Sequence, residues 1–323
     1  MQNGRARLYP RPAYEGGRAH SRTGRMKTMV LLVNFGGPAT LSEVPLFLRK
    51  LMGSIAPQAI QEALMDRYRA IGGGSPLASI TQDQAARIED ATGHRVPIRA
   101  AYRYASPTLE EMMNECYKSG TERITFFVMS PYYTSRTVGA YIKTVETYLA
   151  YLSFASYRPI VTFIHSWYKE PLFIDAWVSR IREEAGHGEG FYLFSAHSLP
   201  QSLQHEPYIS QVEETVAAVA ARLKLSAYAI GWQSVPRNTD EPWIGPSVEA
   251  VIDGITGTAS RLIEIPIGFV SDHLETLYDM DIVHAGYARN KGIPFSRIAS
   301  LNTYPPFIAA CKAILEKHLQ GGQ

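Results

Sequence analysis

Short apolar runs recur along the whole chain, separated by amphipathic stretches. Seven runs read as strands: residues 29–34, 96–103, 123–129, 159–165, 190–196, 228–233 and 262–269. Most are continuously apolar and do not alternate, which predicts strands buried on both faces, as in parallel sheets. Between them, residues 81–91, 106–119 and 208–223 read as helices. This β, α, β, α order predicts an α/β fold of doubly wound layers. A weak internal symmetry goes with it. The first strand runs into Asn34-Phe35-Gly36-Gly37-Pro38, and a later one runs into Ser195-Ala196-His197-Ser198-Leu199-Pro200. Two similar halves facing each other would bring both strand ends to one cleft, where open α/β sheets bind ligands.

Apolar residues make up 46% of the 323 positions, enough to bury a sizeable core in two ordinary domains or one large one. No run approaches the roughly 20 apolar residues that cross a bilayer, so no transmembrane segment is expected. Net charge is +2 but uneven: residues 1–27 carry seven cations against Glu15, a net of +6, leaving the rest near −4. That segment has no apolar stretch and is not a secretory signal. It reads as a disordered basic extension, with Met26 or Met29 opening the folded part. No other segment resembles a nucleic-acid surface. Cys116 and Cys311 cannot supply the four thiolates of an iron–sulfur cluster or a structural zinc site. Free thiols in a reducing cytoplasm are expected.

Two segments carry candidate chemistry. His197 closes a buried run, a position that can face a cleft and that equally suits a histidine hydrogen-bonded in a loop. Asp272, Glu275 and Asp279 are spaced i, i+3, i+7, which on an α-helix sets three carboxylates along one face. Such a stripe can attract a divalent cation or relay protons; it can also be a capping box or a solvated face. On the same spacing His273 falls near Leu277, off the acidic face. No His-Glu-x-x-His pair is present, so a tightly held catalytic zinc is not expected. Ile71-Gly72-Gly73-Gly74-Ser75-Pro76-Leu77 lacks the Lys-Ser/Thr ending of a phosphate cradle and fits a tight turn or a close approach to a flat ligand. Trp232 and Trp243 lie near another strand end.

Taken in chain order, five stretches resemble the ferrochelatase family. They are Leu32-Val33-Asn34-Phe35-Gly36-Gly37-Pro38; Arg67 through Leu77; Ser195-Ala196-His197-Ser198-Leu199-Pro200; Gly231-Trp232-Gln233-Ser234 with Trp243-Ile244-Gly245-Pro246; and Phe269-Val270-Ser271-Asp272-His273-Leu274-Glu275-Thr276-Leu277-Tyr278. The resemblance implies two similar Rossmann-like α/β halves (28–165 and 166–315, with 316–323 as a tail) around a porphyrin cleft. It implies a cytoplasmic enzyme inserting Fe²⁺ into a porphyrin for haem biosynthesis. His197 and Glu275 match the catalytic and metal-holding pair. Asp279 is a further metal candidate, continuing the stripe away from the cleft. Porphyrin contacts are expected at Phe35, Gly73, Ser75, Leu77, Arg49, Tyr133 and Trp232. Lys50, Arg103 and Arg136 join Arg49 as candidate partners for propionates.

The resemblance further implies no tightly bound cofactor and no cluster, with Fe²⁺ as substrate. In lacking cluster cysteines and a long C-terminal extension, the chain is similar to the short ferrochelatases of Gram-positive bacteria, which favour coproporphyrin III and are often monomeric. It departs from them in having Phe35 where Tyr is usual, and Leu51 and Met52 in a region that is often basic. Coproporphyrin III and protoporphyrin IX therefore both stand as substrates. A haem or porphyrin carrier and a chelatase for another divalent metal are the alternatives.

Overall fold

In the computed structural model, residues 26–186, 190–236 and 240–321 are described. The expected basic extension thus lies, apart from Met26 and Lys27, outside the described residues. The first half comprises β1 (Thr28–Asn34), α1 (Val44–Met52), α2 (Gln58–Ala70), α3 (Leu77–Ala91), β2 (Ile98–Tyr102), α4 (Leu109–Lys118), β3 (Arg123–Val128), α5 (Ala140–Leu152) and β4 (Ile160–Ile164). The second comprises α6 (Pro171–Ala185), β5 (Phe191–His197), α7 (Tyr208–Leu223), β6 (Tyr228–Gln233), α8 (Val248–Ile255), β7 (Leu262–Ile265), α9 (Ala285–Asn290), β8 (Phe295–Arg297) and α10 (Pro305–Gly321). Two stretches wind as π-helix, Ser135–Gly139 before α5 and Glu275–His284 before α9.

All strand pairings are parallel, and the sheet orders are β2-β1-β3-β4 and β6-β5-β7-β8. The two orders are the same when counted within each half, so β1 and β5 occupy equivalent central positions. The symmetry of their sequence endings is therefore a symmetry of topology. The seven expected strands all form, several of them shorter than their runs; the run 262–269 loses most and leaves the sheet at Ile265, because Pro266 cannot donate to the ladder. The eighth, β8, has three residues, too few for a hydrophobic run to announce. Its pairing with β7 defines it.

Burial explains the unbroken apolar runs. Val30, Leu31, Leu32 and Val33 of β1 are all buried, two towards each face. Leu31 and Val33 join an outer cluster with Met113 of α4 and Val145 of α5. Val30 and Leu32 join a core that continues through Phe173 and Trp177 of α6, Phe194 of β5, Ile263 of β7 and Phe307 of α10. One core therefore crosses the boundary between the halves. Polar bonds cross it too: Gln84 Nε2 donates to Ser271 Oγ (2.9 Å) and the Asn302 carbonyl (2.8 Å), and Tyr132 OH donates to the Ile267 carbonyl (2.9 Å). The expected boundary at 315 falls inside α10, so residues 316–321 continue that helix instead of forming a tail.

Cys116 and Cys311 are buried and free. Burial pushes the Cys116 thiol up to about 11 and Cys311 higher still, which keeps both protonated and inert. Among the described residues no helix is long and apolar enough to cross a membrane.

Candidate active site

His197 is the last residue of β5, at the carboxyl end of a central strand. Its backbone is fixed by the Tyr208 hydroxyl, which donates to the His197 carbonyl at 3.0 Å. Its ring is fixed by Nδ1, which lies in close hydrogen-bonding contact with the Ser198 carbonyl. A carbonyl only accepts, so Nδ1 carries the proton, and in the neutral ring Nε2 keeps its lone pair. That lone pair faces Glu275 Oε1 at 3.7 Å. The other carboxylate oxygen, Oε2, is buried without a hydrogen bond among the described residues, as is Gln233 Oε1 close by. A buried acceptor left unpaired costs about 1–3 kcal/mol, and more when it is charged. A cation or a proton entering this gap would remove that cost.

Glu275 opens the π-helix, and this winding overturns the expected carboxylate stripe. An α-helix repeats every 3.6 residues, whereas i→i+5 closure gives roughly 4.4 residues per turn. Positions four and five apart then share a face, so Glu275, Asp279 and His284 all line one cleft. Asp279 is thus in the cleft wall, not leading away from it. Its Oδ2 accepts from Ser234 Oγ at 3.2 Å, and Arg67 Nη1 lies 4.0 Å from Oδ1. Burial and the neighbouring Glu275 charge push the Asp279 carboxyl above its ordinary value. His273, expected off the acidic face, also lines the cleft. Its ring meets Phe269 edge-on at 4.5 Å, and burial lowers its pKa.

Asp272 leaves the stripe altogether and belongs to the frame. Its carboxylate accepts from Arg297 Nη1 (3.1 Å), Ser300 Oγ (2.7 Å) and Asn302 Nδ2 (2.7 Å), so it is no capping residue for the π-helix. Burial opposes its charge, but Arg297 and the two polar donors outweigh it and hold the carboxyl below the ordinary 3.8. Asp272→Ala is expected to cost about 2 kcal/mol, because Ser300 Oγ and Asn302 Nδ2 lose their acceptor, while Arg297 keeps Asp281. A depressed folded-state pKa stabilises the fold above 3.8, and this contribution is lost as pH falls through the lower, folded-state value. Melting curves of the variant and the parent should therefore converge below that point and diverge above it.

The cleft has a volume of about 860 Å³, within the range of pockets that bury a small-molecule ligand. One wall is apolar, built from Phe35, Phe47, Leu48, Leu51 and Leu77 with Ile60, Ala63 and Leu64 of α2. Phe35 and Tyr104 pack at 4.6 Å, and Phe47 meets both rings edge-on. The opposite wall carries His197, Trp232, Gln233, Ser234, Glu275 and Asp279.

Of the expected porphyrin contacts, Phe35, Ser75, Leu77 and Trp232 line the cleft, while Gly73, Arg49 and Tyr133 are not among its lining residues. Gly73 has φ +99° and donates its N–H to the Tyr68 carbonyl (2.8 Å), so it ends α2. Its neighbour Gly74 is required by space: a Cβ there would lie 2.0 Å from the Ala39 carbonyl oxygen. Arg49 is exposed on α1. Tyr133 is half-buried against His165 at 5.9 Å. Lys50, Arg103 and Arg136 also lie outside the lining; Arg103 faces a separate depression with Lys143 and Tyr148. Sequence reasoning missed Phe47, Arg67, Tyr208, Tyr278 and His284. Arg67, which lies over the Tyr278 ring at 5.3 Å, was within reach, since both sit in the stretches that carry the family resemblance.

Two solved structures share this architecture. SirB from Bacillus subtilis with Fe3+ superposes with a TM-score of 0.57 at 12% identity, covering 90% of this chain and 95% of that one. CbiX, the terminal enzyme for biosynthesis of siroheme in denitrifying bacteria, gives 0.54 at 11% identity over 90% and 98%. At such identities the likeness shows the fold alone. Sequence narrows the class, since the ferrochelatase family model matches residues 27–319. Relatives include the ferrochelatase of Geotalea uraniireducens (34% identical, covering 90% of this chain and 98% of the relative). The coproporphyrin III ferrochelatases of Halalkalibacterium halodurans (31%; 91% and 98%) and Bacillus subtilis (30%; 91% and 99%) are similar over the same extent. The chain belongs to the ferrochelatase family.

Proposed function

We propose that this protein inserts Fe²⁺ into a porphyrin with release of two protons, as a step of haem biosynthesis. The observation that carries the reading is His197 Nε2 facing Glu275 Oε1 across 3.7 Å, beside the buried and unpaired Glu275 Oε2, on the polar wall of a cleft whose other wall is apolar. First-row dications bond imidazole nitrogen and carboxylate oxygen at roughly 2.1 Å. An ion shared by both atoms would subtend an open angle of roughly 120°. Among the described residues no group of three or more His, Cys, Asp or Glu comes together to hold a metal. Two donors hold a dication weakly, which suits an ion that has to leave for the macrocycle.

The macrocycle lies against Phe35, Leu77 and Trp232, and the apolar wall presses it out of plane, turning pyrrole lone pairs towards the metal. Fe²⁺ passes from the His197–Glu275 pair to the four nitrogens. Two N–H bonds break as the Fe–N bonds form, and the protons go to the two vacated acceptors, His197 Nε2 and Glu275. The protein brings no resident cofactor or cluster to this step. The porphyrin is coproporphyrin III, as several relatives' names support, or protoporphyrin IX.

Anaerobic insertion followed by absorbance, with both porphyrins side by side, tests the reading. The expected outcome is metalation of at least one, and the faster one is the substrate. Tight binding of preformed haem with no insertion into either would make the protein a carrier. Insertion of Co²⁺ or Ni²⁺ but not Fe²⁺ would make it a chelatase for another metal.

A further inference from the structure

Behind the polar wall lies a charged pair that the chemistry above does not use. Glu264 sits between Ile263 and Ile265 on β7, in a strand whose four residues are all buried, and is itself 0% exposed. Its carboxylate accepts from His284 Nδ1, at 2.9 Å to Oε1 and 3.2 Å to Oε2. His284, 3% exposed, is the last residue of the π-helix that begins at Glu275. Burial opposes charge on His284, yet the facing Glu264 carboxylate raises its pKa above the ordinary histidine value. The contact is thus a charge-assisted hydrogen bond.

Stability alone does not account for it. Desolvating two such groups costs several kcal/mol, and a well-packed apolar pair in their place is often as stable or more so. What an ion pair adds is direction, and what this one directs is the winding of a helix. His284 lies nine positions after Glu275. At 3.6 residues per turn they cover two and a half turns and place the two side chains on opposite sides. At roughly 4.4 per turn they cover about two turns and place them on the same side. Both residues do line the cleft. With Glu275 over the cleft, His284 therefore reaches Glu264 only in the wide winding. Tightening to an α-helix would open the Glu264–His284 contact or swing Glu275 away.

We propose that Glu264 and His284 are positioning residues: a buried clasp that holds residues 275–284 in the π form and so keeps Glu275 and Asp279 together on the cleft face, ready for a divalent cation. The cation's purpose rests on the chelatase reading; the clasp itself does not.

Zn²⁺ binding to the full chain without porphyrin, by titration calorimetry, reads the clasp directly, and insertion kinetics separate KM for metal from KM for porphyrin. In E264L/H284L the expected result is a melting temperature within a few degrees of the parent's. Zn²⁺ affinity should fall about tenfold or more, as for other groups that orient metal ligands, and KM for porphyrin should not change. Wild-type Zn²⁺ affinity in that variant overturns the proposal, as does a matched rise in both KM values.

Two milder variants decide the matter even if the double one fails to fold. E264Q keeps an acceptor at the same reach and should bind Zn²⁺ within about threefold of wild type. E264D keeps the charge but withdraws it by one methylene and should bind several-fold more weakly than wild type. The reverse ranking, or equal effects, would mean that reach is not what matters and would overturn the clasp. Wild-type protein that binds no Zn²⁺ overturns it as well. Should the Zn²⁺ pattern hold while wild type metalates no porphyrin, the chelatase reading fails and the clasp stands.

Discussion

His197→Ala is expected to slow iron insertion by roughly 10²- to 10⁴-fold, the range for losing a positioned proton acceptor. The loss should be larger than for any other single change in the cleft, because the ring serves twice. Its Nε2 is one of the two atoms facing the metal gap, and it is the acceptor for a pyrrole proton once the metal has moved. The substitution leaves the cleft otherwise intact: the Ser198 hydroxyl donates to the Ile244 carbonyl and the Tyr208 hydroxyl to the His197 backbone carbonyl, neither through the imidazole. Porphyrin binding, followed by fluorescence quenching, should therefore stay within a few-fold of wild type while turnover collapses. Turnover within tenfold of the parent would remove His197 from the chemistry.

Glu275→Gln should produce a smaller loss with a different kinetic signature. Glutamine fills the same space, so the cleft and the π-helix should persist, but the negative charge opposite His197 is gone. The expected effect is a rise in KM for metal of roughly 10- to 100-fold, with kcat reduced as well and KM for porphyrin little changed. Loss of an interaction made with the bound metal predicts that pattern, and loss of porphyrin binding predicts the reverse. Unaltered KM for metal would show that Glu275 does not hold the ion, whatever happens to kcat.

Much of the frame was legible in the sequence because parallel strands buried on both faces leave a strong trace. Val30 through Val33 admit no polar residue, and all seven expected strands form. His197 was legible for the same reason: it ends such a run, and the end of a central strand is where a cleft lies. The carboxylates were misread because their helix does not obey the usual period. Asp272, Glu275 and Asp279 form a stripe only at 3.6 residues per turn, and nothing in the local sequence announces a wider winding. On the proposal above the winding depends on a tertiary contact, His284 with Glu264, whose second partner lies outside the local sequence. Arg49, Gly73 and Tyr133 lie outside the cleft lining, and proximity in sequence to a cleft segment does not tell which side of it a residue faces.

The core that runs unbroken from β1 through α6 and β5 to α10 also bears on how the molecule can move. A repeated topology invites the picture of two jaws hinged at their junction. Here one buried core spans the junction, so prying the jaws apart would mean exposing the interior. The helices α1 and α2, which line the apolar wall of the cleft, rest instead on a small cluster of their own, Val44, Leu48, Ala56 and Tyr68. The two sheets are therefore expected to melt as one cooperative unit, with local opening of the cleft expected first at α1 and α2.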